Sequence, residues 1–198
     1  MTLRKWFYLF WTTLVIGAVA ALIIGFILQS TDQKISVLNG NEIGFNMVTM
    51  LLGGAMISVL SQMGFFSYLI VRFIVMGMIR AKWITDTLQL ICVLIALVDL
   101  VFLRHEDAQE SWLTYMLLPL ILLVVAFSTS WWKVKLTNRN GFIPTLFFMT
   151  AVTAIEAVPA LRLNSAASTL FMMIPLLACN AWQILILSKV LKTNKEPL

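Results

Sequence analysis

The sequence predicts an all-α polytopic membrane protein of about six transmembrane helices, with one further helical segment after the second span. Three observations predict it. The chain of 198 residues is 61% hydrophobic and only 12% charged, whereas soluble domains are about half apolar and about a quarter charged. Its mean hydropathy is +0.94. Apolar runs of membrane-spanning length alternate with short polar connections, and the basic residues collect in every second connection. A soluble core could not hide this much apolar surface, so lipid is the solvent the composition calls for.

The elements follow in order. Span one covers residues 6–28, a run long enough to cross a hydrocarbon layer of about 30 Å at about 1.5 Å per residue. Arg4 and Lys5 before it imitate a signal peptide, and Ala18-Val19-Ala20 offers a small-x-small site. The apolar run nevertheless continues through Leu28, so the segment reads as an uncleaved span. Span two is expected at 43–63, with a break near Gln62-Met63-Gly64. Residues 65–82 then read as a helix along the cytoplasmic interface or as a tilted continuation of span two. Tyr68, Arg72 and Arg80 recur there at helical spacing. Spans three to six are expected at 83–103, 112–132, 142–161 and 166–187, within a single membrane domain covering 1–198.

Orientation follows from the basic residues, which resist translocation. With the N-terminus inside, one face collects Arg4, Lys5, Arg72, Arg80, Lys82, Lys133, Lys135, Arg139, Lys189, Lys192 and Lys195, and the other only Lys34, Arg104 and Arg162. A seventh crossing at 65–79 would reverse that bias, so six spans with both termini cytoplasmic are expected. Trp6, Trp83, Trp131 and Trp132 mark the inner interface and Trp112 the outer. The net charge of +5 belongs to these flanking clusters and to lipid, not to nucleic acid.

Ionisable groups within a span are costly and need a reason. Asp86, one turn into span three, reaches headgroup water. Asp99 and Glu156 both fall about 20–24 Å across from the cytoplasmic ends of their spans. At that depth they neighbour Arg104, His105 and Arg162. Together these five residues form a candidate outward-facing polar pocket for a ligand, ion or partner; the bland alternative is an interfacial or ion-paired packing role. Asn180 and Gln183 in span six need partners in the bundle, either as structural glue or as a recognition face. With Gln62, Tyr68 and Arg72 they make up the candidate partner-contact residues. Gly17, Ala21 and Gly25 form a small-x-x-x-small ladder, and Gly54 with Ser58 another. Both permit close helix approach without deciding whose helix approaches.

No nucleophile elbow, Walker loop, zinc spacing or EF-hand occurs in the sequence. Cys92 and Cys179 lie in apolar runs, and the one histidine, His105, is in a loop. The expectation is therefore no enzyme, no cofactor and no metal. A small transporter or channel using the region of Asp99 and Glu156 is the alternative class.

The run Ser61-Gln62-Met63-Gly64-Phe65-Phe66-Ser67-Tyr68-Leu69 and the opening Leu9-Phe10-Trp11-Thr12-Thr13-Leu14 resemble the KinB-signalling pathway activation (KbaA) family of spore-forming bacilli. The length and six-span layout are similar too. The resemblance implies a non-enzymatic regulator in the bacterial cell membrane. Its implied partner is a membrane-bound sensor histidine kinase feeding the sporulation phosphorelay. It transfers no binding residues.

Overall fold

Long uninterrupted stretches of Leu, Ile, Val, Met, Ala and Phe leave the backbone little alternative to its own helical hydrogen bonds. The computed structural model, which describes residues 3–31, 40–79, 81–105, 112–162 and 165–192, is helical throughout its regular structure. Helix α1 spans Leu3–Thr31, α2 Gly40–Met78, α3 Lys82–His105 and α4 Trp112–Leu136. A 3₁₀ turn at Arg139–Gly141 then leads into α5, Phe142–Phe147. A single π-helical segment, Phe148–Val152, joins α5 to α6, Thr153–Leu161, and α7 spans Ala166–Lys192. Six stretches among the described residues are long and apolar enough to cross a membrane.

The break expected near Gln62-Met63-Gly64 is absent. Helix α2 runs through it without interruption for 39 residues, so 65–78 continues span two instead of forming a separate interfacial helix. The reason is local: a lone Gly64 inside an apolar helical run costs only about 1 kcal/mol relative to Ala, which neighbouring packing outweighs.

Helices α1, α2 and α7 pack closely on one another. The two small-residue ladders meet at the α1–α2 crossing. A Cβ added to Gly17 would lie 2.8 Å from the Ser58 Cβ, and one added to Gly54 would lie 2.6 Å from the Gly17 carbonyl oxygen. The ladders therefore serve internal packing.

The α5–π–α6 rod is the innermost element: 56% of its apolar stretch is buried, against 11% in α3, which is the most peripheral helix. Phe148 and Met149, in the wider π turn, are fully buried. Pro159 and Pro175 lie within α6 and α7 without ending either helix.

Two apolar layers stack along the bundle. One joins Ile57, Leu100, Leu118, Leu122, Ala157, Leu161 and Leu176. The other, at the end where the two termini lie, joins Leu9, Phe65, Tyr68, Ala126, Phe148 and Ile184. Within the second layer the Phe148 ring centroid is 5.0 Å from Tyr68 and 5.6 Å from Phe65. The outer surface is itself apolar, with Phe7, Trp11, Val15, Val19 and Ile23 in one exposed stripe along α1.

Candidate functional site

Between the two apolar layers lies a polar one. Asn180 of α7 is its hub. The amide Nδ2 donates to Glu156 Oε2 at 2.8 Å and to Thr153 Oγ1 at 2.9 Å, while Oδ1 accepts from Ser61 Oγ at 2.7 Å. An amide offers two donors and two acceptor lone pairs, and Asn180 uses them to tie α2, α6 and α7 at one level. Glu156 is 6% exposed and Asn180 fully buried. The second carboxylate oxygen, Oε1, has no hydrogen-bond partner among the described residues. It sits where a side chain at position 64 would begin, so any larger residue there would displace the carboxyl group. Thr153 and Glu156, three residues apart on α6, share one helix face just beyond the π segment. π-turns frequently mark functional positions in helices.

The layer extends toward α1. The Gln62 amide donates to the Phe10 carbonyl at 3.2 Å and to Ser58 Oγ at 3.4 Å. Trp182 Nε1 donates to Thr12 Oγ1 at 3.2 Å, and Cys179 Sγ lies 3.6 Å from the Thr13 carbonyl. Gln62 Oε1 and both amide atoms of the fully buried Gln183 meet no partner among the described residues. At the terminal end, Arg72 Nη1 donates to the Tyr68 hydroxyl at 3.4 Å, which donates to the Pro144 carbonyl at 3.2 Å. The buried Lys133 ammonium donates to the Ile184 carbonyl. Most other Ser and Thr hydroxyls bond back to their own helix, as Thr13 does to Leu9 and Ser130 to Ala126, and leave no demand on a partner. Chemically, the arrangement is one carboxyl group held through a single oxygen by one amide, which is itself fixed by hydroxyls of α2 and α6. Among the described residues no three His, Cys, Asp or Glu side chains come together as a metal would need.

A sequence profile described as "KbaA: KinB-signalling pathway activation in sporulation" matches residues 17–190. The chain belongs to the KbaA family. Its similarity to the KinB-signaling pathway activation protein of Bacillus subtilis (strain 168) is 34% identity over 186 residues, covering 91% of this chain and 93% of that protein. No solved structure gives a significant match. The family match spans the centre of the polar layer of this KbaA chain, Ser61, Gly64, Glu156 and Asn180.

The sequence-predicted residues distribute differently from expectation. Asp99 is exposed on α3. It overlooks a cavity of about 300 Å³ lined by Cys92, Ile95, Ala96, Phe147, Ala154 and Ile155. Glu156 leaves α6 on another side and faces Gly64 and Asn180. The two carboxylates therefore do not share a pocket, because equal depth along two helices says nothing of the direction each side chain takes around its axis. Arg162 is exposed after α6, and the side chains of Arg104 and His105 lie outside the described residues. Of the five expected partner contacts, Gln62, Tyr68, Asn180 and Gln183 are buried inside the bundle and Arg72 is half-buried; Gln62, Tyr68 and Asn180 bond other helices of this chain. Sequence reasoning missed Ser61, Gly64, Thr153 and the buried Lys133 as members of these networks. The signal available was the serine spacing Ser58–Ser61 beside Gln62 and Gly64 on one helix.

Proposed function

We propose that this protein is a non-enzymatic membrane regulator that activates a membrane-bound sensor histidine kinase of the sporulation phosphorelay by direct helix contact. The observation that carries the reading is the family match across residues 17–190, to a family described by KinB-signalling pathway activation. In this reading the six apolar stretches cross the cell membrane, and the lysine-rich and arginine-rich connections, with both termini, face the cytoplasm. A multispan protein shifts a kinase only by binding one signalling state better than another, and a tenfold shift needs about 1.4 kcal/mol of differential contact.

What supports a helix-contact mechanism is the outward face of the bundle. The last third of α2 carries Ile70, Phe73, Met76 and Met78 outward, with Phe73 81% and Met78 79% exposed. This segment lies at the end of the bundle where the basic residues gather, so it is suited to meet the membrane-proximal part of the kinase. The transport alternative rests on Asp99 and Glu156 sharing a site, and among the described residues the two face different neighbours.

The test is co-purification of the two proteins from native membranes, together with a kinase-dependent sporulation reporter. Activation that persists while no association forms would remove the direct-contact mechanism.

A further inference from the structure

The basic residues of the α4–α5 hairpin part company around the end of α4. Lys133 turns into the bundle and donates to the Ile184 carbonyl. Lys135, about 200° further round the helix, is exposed, as is Arg139 of the 3₁₀ turn. Both line one groove of about 440 Å³ between α4 and the start of α5. Its other walls are Phe127, Trp131 and Val134 of α4 and Phe142 of α5. The rings brace one another: Phe127 stacks on Trp131 at 6.4 Å and meets Phe142 edge-on at 5.4 Å. The Lys135 ammonium stands 6.0 Å from the centroid of the Trp131 ring. Among the described residues no acidic side chain lines the groove.

We propose that this groove binds one anionic phospholipid, with its phosphate between Lys135 and Arg139 and an acyl chain running past Trp131 to Phe127. The inference goes beyond the kinase-activation reading and uses only its placement of the chain in a membrane. The two cations stand where one apolar stretch, Met116–Leu136, ends and the next, Arg139–Leu161, begins. Phe127 lies two helical turns deeper than Lys135, about 12 Å along α4. The cationic end therefore falls at headgroup level and the aromatic end in hydrocarbon. Arginine offers a phosphate two parallel hydrogen bonds and lysine a point charge, and basic pockets between membrane helices take anionic headgroups in this way. A zwitterionic lipid is less well matched. The Trp131 face that would receive its cation already faces the Lys135 ammonium, and no carboxylate lines the groove to replace it. An acidic peptide at the depth of Phe127 would leave backbone N–H and C=O groups without partners in hydrocarbon.

The test uses the full chain, delipidated in detergent, with native mass spectrometry to count bound lipid. Phosphatidylglycerol is expected to bind about tenfold more tightly than phosphatidylcholine, and the Lys135→Gln/Arg139→Gln variant to bind it about tenfold more weakly than the unaltered chain. Removing two charges from the start of α1 instead, as Arg4→Gln/Lys5→Gln, is expected to leave binding unchanged. A photoactivatable phosphatidylglycerol is expected to label residues 127–142 of the unaltered chain, a readout that requires no variant to fold. Equal binding of the two lipids, equal losses in the two double variants, or label confined to other segments would each overturn the inference. Complete displacement of the lipid by inorganic phosphate would assign the groove to a free anion and overturn it as well. Release of the chain from membranes by alkaline carbonate without detergent would bring down the membrane-crossing reading, and this inference with it.

Discussion

The carboxylate of Glu156 occupies the space that a side chain at position 64 would need, so Gly64 of α2 and Glu156 of α6 interlock across the bundle. Gly64→Ala is expected to destabilise the detergent-solubilised protein by about 1–3 kcal/mol, the usual range for overpacking. Adding Glu156→Ala to Gly64→Ala should recover part of that loss. Thermal unfolding of the four proteins of the cycle measures the coupling, and strictly additive losses would show that the two positions do not touch.

Asn180 and Gln183 are buried alike, one turn apart, yet differ in their partners. Asn180→Leu strips Ser61, Thr153 and Glu156 of their common partner. A loss of about 1–3 kcal/mol is expected from groups left unpaired. Gln183→Leu removes an amide with no partner among the described residues and is expected to be neutral or stabilising by up to about 1 kcal/mol. Equal losses in the two variants, measured by unfolding in the same detergent, would contradict this division.

Two glycines of α2 separate packing from propensity. Gly54 faces the Gly17 carbonyl oxygen and the Ala18 Cα at 2.6 and 2.8 Å from the position of an added Cβ, whereas an added Cβ at Gly77 meets nothing within 4 Å. Gly54→Val should part α1 from α2 and reduce membrane abundance or cost about 1–3 kcal/mol. Gly77→Ala should be neutral or gain up to about 1 kcal/mol from helix propensity. A harmless Gly54→Val would mean that the α1–α2 crossing lies elsewhere.

Topology is testable without any partner. Single cysteines replacing Lys34 and Gln109 in a chain lacking Cys92 and Cys179 should react with an impermeant thiol reagent in intact cells. Those replacing Lys135 and Lys195 should react only after permeabilisation. The opposite pattern would invert the whole arrangement, and with it the cytoplasmic position proposed for the α2 tip.

Helix number and approximate extent were legible because they depend on the length and apolarity of a run, which any solvent-averaged reading detects. Direction around an axis was not. A helix turns about 100° per residue, so Asp99 and Glu156 can stand at similar depth and face different neighbours. The amides of Gln62, Asn180 and Gln183 looked equally suited to a partner or to this chain, and only packing decides that they turn inward. Likewise the ladders Gly17–Ala21 and Gly54–Ser58 announced close approach without saying that each was the other's target. The π segment left no composition signal, since Phe148–Val152 contains neither glycine nor proline. The uninterrupted course of α2 was obscured by Gly64, whose role is to admit a carboxyl group and not to end a helix.

The length of α2 has a mechanical consequence. At about 1.5 Å per residue its 39 residues reach about 58 Å, roughly twice the thickness of a hydrocarbon layer. Gly64 meets Glu156 partway along this rod, and Met78 lies about 21 Å beyond that contact. A tilt of about 10° there would carry the tip sideways by about 4 Å, a displacement set by the length of helix left beyond the bundle's polar layer.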